Sequence, residues 1–303
     1  MIKLRLMPEI ERTLESMAVL APVAARIKQM ARHGEPDMQA LLATVAADPM
    51  LTVKVMRLVN SSFYGLADPI RSLDQAVVLL GARTVQNLAL SAPLLTGVPF
   101  ALQDAEFSCE TFWRHTYATG LTSQCLALAK PELADWAGLA FMGGLLHDVG
   151  KLLFIHAQPE QFRAALVQSR QSGVALTFGE LAFLGCPHMQ AGGFLGRKWQ
   201  VDAVILEVIE QHHDGRAAFW NENPLLPLVI LGNNLCKYNG VGSSGNAVIE
   251  EVAEECAVRL GIDETAINSV MNQMWRELKK AEAFLGLEAS PKDGQEDRRS
   301  VAT

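Results

Sequence analysis

Residues 143–151 read GGLLHDVGK. An apolar run ends on a histidine beside an aspartate, and a glycine and a lysine follow. Imidazole and carboxylate together make a mixed nitrogen and oxygen donor set. Such sets take iron, manganese, zinc, cobalt or nickel more readily than magnesium or calcium. Lys151 stands four residues after His147 and three after Asp148, so on a continuing helix it shares their face. A lysine beside a metal holds a phosphate oxygen. The preceding segment, AGLAFMGGLL (137–146), is a helix that its composition buries.

Working outward, apolar residues recur three and four apart, and sustained alternation is missing, which predicts an all-α protein. One or two helices are expected over 8–33 and another over 37–46. Asp48 caps a third that has Pro49 at its first position. Ser72 and Gln75 stand in capping-box spacing ahead of AVVLLG, where Gly81 is the stop. Further helices are expected over 107–129, 135–155, 159–172, 176–184, 188–198, 201–213, 225–238, 247–260 and 264–285. Residues 214–224 read as a loop, and NGVGSSGN (239–246) as a flexible one. The last 16 residues, EASPKDGQEDRRSVAT, are polar and expected to be disordered. The expected organisation is an N-terminal bundle over 1–100, a second helical subdomain over 101–240, a helical pair over 241–287 and a tail over 288–303.

The chain has 303 residues, half of them apolar, and a net charge of −7. That charge gives no general attraction to nucleic acid or to an anionic membrane. The five cysteines form no C-x-x-C pair and are read as reduced core residues. The opening MIKLRLMPEI has too short an apolar run, ended by a glutamate, to be expected as a signal peptide, and no run approaches 18 uncharged apolar residues. The expected location is the cytoplasm.

Of seven histidines, six lie between 115 and 213. His212 and His213 end an apolar helix, where unpaired carbonyls favour a cation. These residues also admit a plainer reading. A lone histidine on an apolar face is usually a hydrogen-bonded core residue, which is the expectation for His33 and His156. Lys151 can pair with Asp148 alone, and adjacent histidines can be a solvated cap.

GGLLHDVGK, with His115 upstream on its own helix, resembles the HD superfamily of metal-dependent phosphohydrolases. AADPMLTVKVMRLVNSSFYGLADPIRSLDQAVVLLGARTVQNLAL (46–90) and HMQAGGFLGRKWQVDAVILEVIEQHHD (188–214) resemble blocks of the HDOD family, the HD-related output domains of bacterial signalling proteins. The resemblance covers roughly residues 10–240. It implies a compact multi-helix bundle with an N-terminal subdomain packed on an HD-like one.

Carried over from the HD-GYP phosphodiesterases, the metal ligands fall on His115, His147, Asp148, His188, His212 and His213, with Lys151 on the phosphate side. Two features depart from that pattern. No Gly-Tyr-Pro run follows HHD, and a ligand aspartate is replaced by Asn233, a neutral oxygen where a bridging carboxylate is expected to offset charge between two ions. The resemblance therefore implies a non-catalytic signalling output or scaffold module that binds a protein partner and a divalent metal (iron, manganese, zinc or nickel). Phe63, Tyr64 and Arg71 are its candidate contacts, since these residue types are enriched at interfaces. The alternatives are a metal-dependent phosphohydrolase, in which Lys151 is catalytic, and a receptor for a cyclic dinucleotide or another nucleotide second messenger.

Overall fold

The computed structural model describes residues 37–61, 64–66, 68–97, 106–214 and 223–285. The helices expected over 8–33, His33, Phe63, most of the 214–224 loop and the tail from 288 lie outside them. Among the described residues every regular element is helical.

Local chemistry sets the first elements. Helix α1 (Met38–Ala46) starts where the Asp37 carboxylate accepts from the N–H groups of Gln39 and Ala40. Asp48 caps α2 (Pro49–Val59), accepting from Leu51 N–H at 3.0 Å. Ser72 caps α3 (Leu73–Leu80), which ends at Gly81 with φ +86°. Helix α4 (Ala82–Gly97) follows, and α1 packs against α2, α3 and α4.

The centre of the molecule is α5 (Cys109–Leu128), capped by Ser108 and buried at every position from Phe112 to Ala127. It packs against α6 (Ala137–Leu146), α12 (Leu225–Tyr238) and α14 (Glu264–Leu285). Each large apolar side chain buried there contributes roughly 1.5–3 kcal/mol. Helices α5 and α6 cross backbone to backbone: a Cβ on Gly144 would lie 2.7 Å from Gly120 Cα. Around this pair run α7 (Gly150–Ala157), α8 (Pro159–Ser172), α9 (Leu176–Leu184), α10 (His188–Lys198), α11 (Ala203–Gln211) and α13 (Val252–Leu260). Helix α14 also touches α2 and α4, so it ties the first helical set to the second.

Two expectations are corrected. The single helix expected over 135–155 is a 3-10 turn (Pro131–Trp136), then α6, then α7, with a break at residues 147–149. His147 Nδ1 donates to Gly144 O at 2.6 Å, the carbonyl that continuing the helix would offer to Asp148 N–H. Pro131–Ala157 contains an 18-residue window apolar enough to cross a membrane by length and composition, yet the span is broken here and that window is wholly buried inside the fold.

The second correction concerns 239–246. It is an ordered strap laid on α5, with Ser243 N–H donating to Thr111 O at 2.9 Å and with Val241, Ser244 and Asn246 buried. Gly242 makes this fit possible. Its φ is +62°, and a Cβ there would stand 2.4 Å from Thr111 O and 2.5 Å from His115 N. All five cysteines are unpaired and four are buried.

Candidate metal centre

Six sequence-assigned residues converge in the core. Helix α5 brings His115, the break after α6 brings His147 and Asp148, α10 opens with His188, and α11 ends at His212 and His213. The α6–α7 break meets α10 without clearance, because a Cβ on Gly150 would stand 1.9 Å from His188 O. That contact explains the glycine in the opening stretch.

The possible ligand atoms fall into two groups that share Asp148. In one, Asp148, His188, His212 and His213 have ligand atoms within 4.8 Å of one another; the other is His115, His147 and Asp148. Asp148 is thus the carboxylate common to both groups. Asn233 sits in the second group, its Oδ1 3.0 Å from His115 Nε2. His156 belongs to neither.

Hydrogen bonds fix the histidine tautomers. His147 Nδ1 faces Gly144 O, His188 Nδ1 faces Glu180, His212 Nδ1 faces Val208 O at 3.1 Å, and His213 Nδ1 faces Glu250. Each is a donor to an oxygen, so each of these rings turns a bare Nε2 lone pair toward the centre. The consequences are visible as orphaned atoms. His147 Nε2, His213 Nε2 and Asp148 Oδ1 are buried with no hydrogen-bond partner. His188 Nε2 and His212 Nε2 face each other at 3.3 Å. Buried lone pairs aimed at one another are unfavourable unless a cation draws them together. The donor set and its orphaned atoms fit a divalent metal of the nitrogen-preferring kind.

Electrostatics point the same way. Burial, reinforced by His147, lowers His115 to about 3. Burial also lowers His213 to about 4 and holds His212 well down, so these three rings stay neutral. For Asp148, burial opposes ionisation, but His147 and Lys151 outweigh it and hold the carboxyl well below its usual range. His188 is the exception. Burial lowers it, yet Glu180 and Asp148 raise it on balance, so without metal a proton on this ring would stand in for the cation.

Of the surrounding groups, sequence reasoning named Lys151 and its pairing with Asp148 and missed Glu180, Glu250, Lys237 and Ser244. Glu180 of α9, fully buried, binds His188 through both its backbone N–H and its ring. Glu250 accepts from His213, and its backbone N–H donates to Asn234 Oδ1 at 2.8 Å. Lys237 donates to Val248 O at 3.1 Å and lies 3.4 Å from Glu250. Lys151 donates to Asp148 Oδ2 at 2.7 Å and to Ser244 Oγ of the strap at 3.1 Å. Only Glu180, eight residues before His188, carried a local signal.

Of the expected partner contacts, Tyr64 is half-buried against the core, and burial together with Glu277 pushes its hydroxyl up to about 12. Arg71 is exposed. Asn60 shapes the intervening turn, its side chain bonding both Ile70 N–H (2.8 Å) and Ile70 O (2.9 Å).

The model of the HDOD domain family matches residues 17–215. Solved structures with the same fold include an HDOD domain protein of unknown function from Geobacter sulfurreducens, with TM-score 0.68, 18% identity, and coverage of 89% of this chain and 98% of that one. Another is a protein from Marinobacter aquaeolei VT8 named for signal transduction, with TM-score 0.74, 24% identity, and coverage of 94% of this chain and 62% of that one. An uncharacterised protein of Treponema pallidum is 25% identical over 205 residues. That match takes in 67% of this chain and spans 39% of the Treponema protein.

Proposed function

The chain belongs to the HDOD domain family, and from that premise we propose that it is a non-catalytic signal-transduction module that binds a protein partner and keeps a divalent metal as part of its core. The observation that carries this reading is the burial of the centre. His147, Lys151, His188 and His212 are 0% exposed, His115 and Asn233 1%, and Asp148 2%. A phosphohydrolase must admit a phosphoester to its metal. Here the strap is anchored on Thr111 and spends its Ser244 hydroxyl on Lys151, the residue a phosphate would need. The name of the Marinobacter protein agrees with a signalling role. Arg71, exposed on the loop after α2, is the side chain we assign to partner contact.

When bound, the ion would supply Lewis acidity and a strong local positive charge. His188, His212, His213 and Asp148 would hold it, with Glu180 and Glu250 orienting two of the rings. The test is turnover. Protein loaded with iron or manganese should cleave none of a panel of nucleotides, cyclic dinucleotides and aryl phosphates. Turnover abolished by His147→Ala and Asp148→Ala would restore the phosphohydrolase reading. A calorimetric signal with a cyclic dinucleotide, without cleavage, would restore the receptor reading.

A further inference from the structure

Resting on that reading of the centre, we infer that the protein holds a single metal ion, in the half formed by Asp148, His188, His212 and His213, and that Asn233 has disabled the other half. The two halves are unequal in the number of bare ligand atoms they offer.

In the three-histidine half, His188, His212 and His213 each give their Nδ1 proton to a protein oxygen and keep Nε2 free of any protein donor. Asp148 Oδ1 is the carboxylate oxygen on this side, 3.1 Å from His188 Nε2 and 3.6 Å from His212 Nε2, and it has no hydrogen bond of its own. That makes four available donors. Two of the rings are backed by carboxylates, Glu180 and Glu250, which orient an imidazole and raise its basicity toward a metal.

The other half has lost its donors one at a time. Asp148 Oδ2 is taken by the Lys151 ammonium at 2.7 Å. His115 spends its one ring proton on Asn233, Nε2–H donating to Oδ1 at 3.0 Å, and Asn233 brings no negative charge. The group backing His147 is a neutral carbonyl, Gly144 O. One bare donor remains, His147 Nε2. A single imidazole, with an amide at 233 in place of a carboxylate, does not hold a divalent ion.

The test uses the full chain loaded with Mn(II) and freed of excess, with bound manganese counted and its electron paramagnetic resonance recorded. One equivalent with a mononuclear six-line spectrum is expected. His115→Gln should keep that equivalent, and His213→Gln should lose it at least tenfold. Both variants preserve side-chain bulk, and circular dichroism confirms that each is folded. Asn233→Asp should bring bound manganese toward two equivalents, with the broadened spectrum of coupled ions. Two equivalents in the unaltered protein, or loss on His115→Gln with retention on His213→Gln, would overturn the single-ion assignment while leaving a metal-holding core standing. One equivalent still present in Asn233→Asp would overturn the part given to Asn233. No manganese in the unaltered protein would remove the metal reading altogether, and this inference with it.

Discussion

Glu180 closes on His188 twice: its carboxylate accepts the backbone N–H at 2.9 Å and the ring Nδ1–H at 2.7 Å. One side chain thus starts α10 and aims the imidazole that heads it. Both groups are fully buried, so the pair cannot fall back on water. Glu180→Ala would strand the ring and the backbone donor together, at a cost of about 3 kcal/mol. Glu180→Gln keeps an acceptor and should cost about 1 kcal/mol. Urea unfolding of the two variants checks the ordering. Equal losses would mean that the carboxylate only fills space.

The strap gives a second prediction. Gly242→Ala puts a Cβ 2.4 Å from Thr111 O at a residue whose φ is +62°. The strain should reach roughly 2 kcal/mol. The first bond at risk is Ser243 N–H to Thr111 O, so exchange of that amide should speed up about thirtyfold while α5 stays protected. Hydrogen exchange read residue by residue checks it. Unchanged protection at Ser243 would show that the strap is held by its other anchors, Val241 and Ser244.

The helical frame was legible because its signals are local. Asp48, Ser72 and Gly81 act within one turn of themselves, and the apolar spacing around them survives folding unchanged. The histidines were legible as residue types, but their grouping was not. Which half Asn233 joins depends on α12 crossing α5, a relation between residues 118 positions apart. The strap misled for a related reason. Gly and Ser in NGVGSSGN look the same whether they confer freedom or permit close contact, and only the position of Thr111 O distinguishes the two. Glu250 and Lys237 gave no sign at all, since their partners are reached by tertiary packing.

On the proposed reading of the centre, removing the metal should weaken the fold. An ion that binds only the folded chain adds about 2.7 kcal/mol at a hundred times its dissociation constant. It would also relieve the facing lone pairs of His188 and His212. Dialysis against a strong chelator should therefore lower the melting temperature by several degrees, and added Mn(II) should restore it. His147→Ala tests where the ion sits. If it occupies the three-histidine half, this variant should still show most of the metal-dependent shift, whereas His212→Ala should show none.

The final prediction concerns how α14 joins the rest. Arg114 of α5 and Glu282 of α14 form an ion pair at 2.8 Å with both side chains nearly buried, and the Arg114 guanidinium lies 6.0 Å from the centre of the Trp275 ring. Because α14 also packs on α2 and α4, this pair holds the helix that spans the two helical sets. Arg114→Ala leaves Glu282 charged in a buried place and should cost about 3 kcal/mol or more. Arg114→Met with Glu282→Leu removes both charges, keeps apolar bulk, and should recover most of that loss. If α14 folds with the core as one unit, thermal unfolding of Arg114→Ala stays a single transition at lower temperature. A separate early transition, with manganese retained through it, would instead show that α14 detaches while the metal centre stays intact.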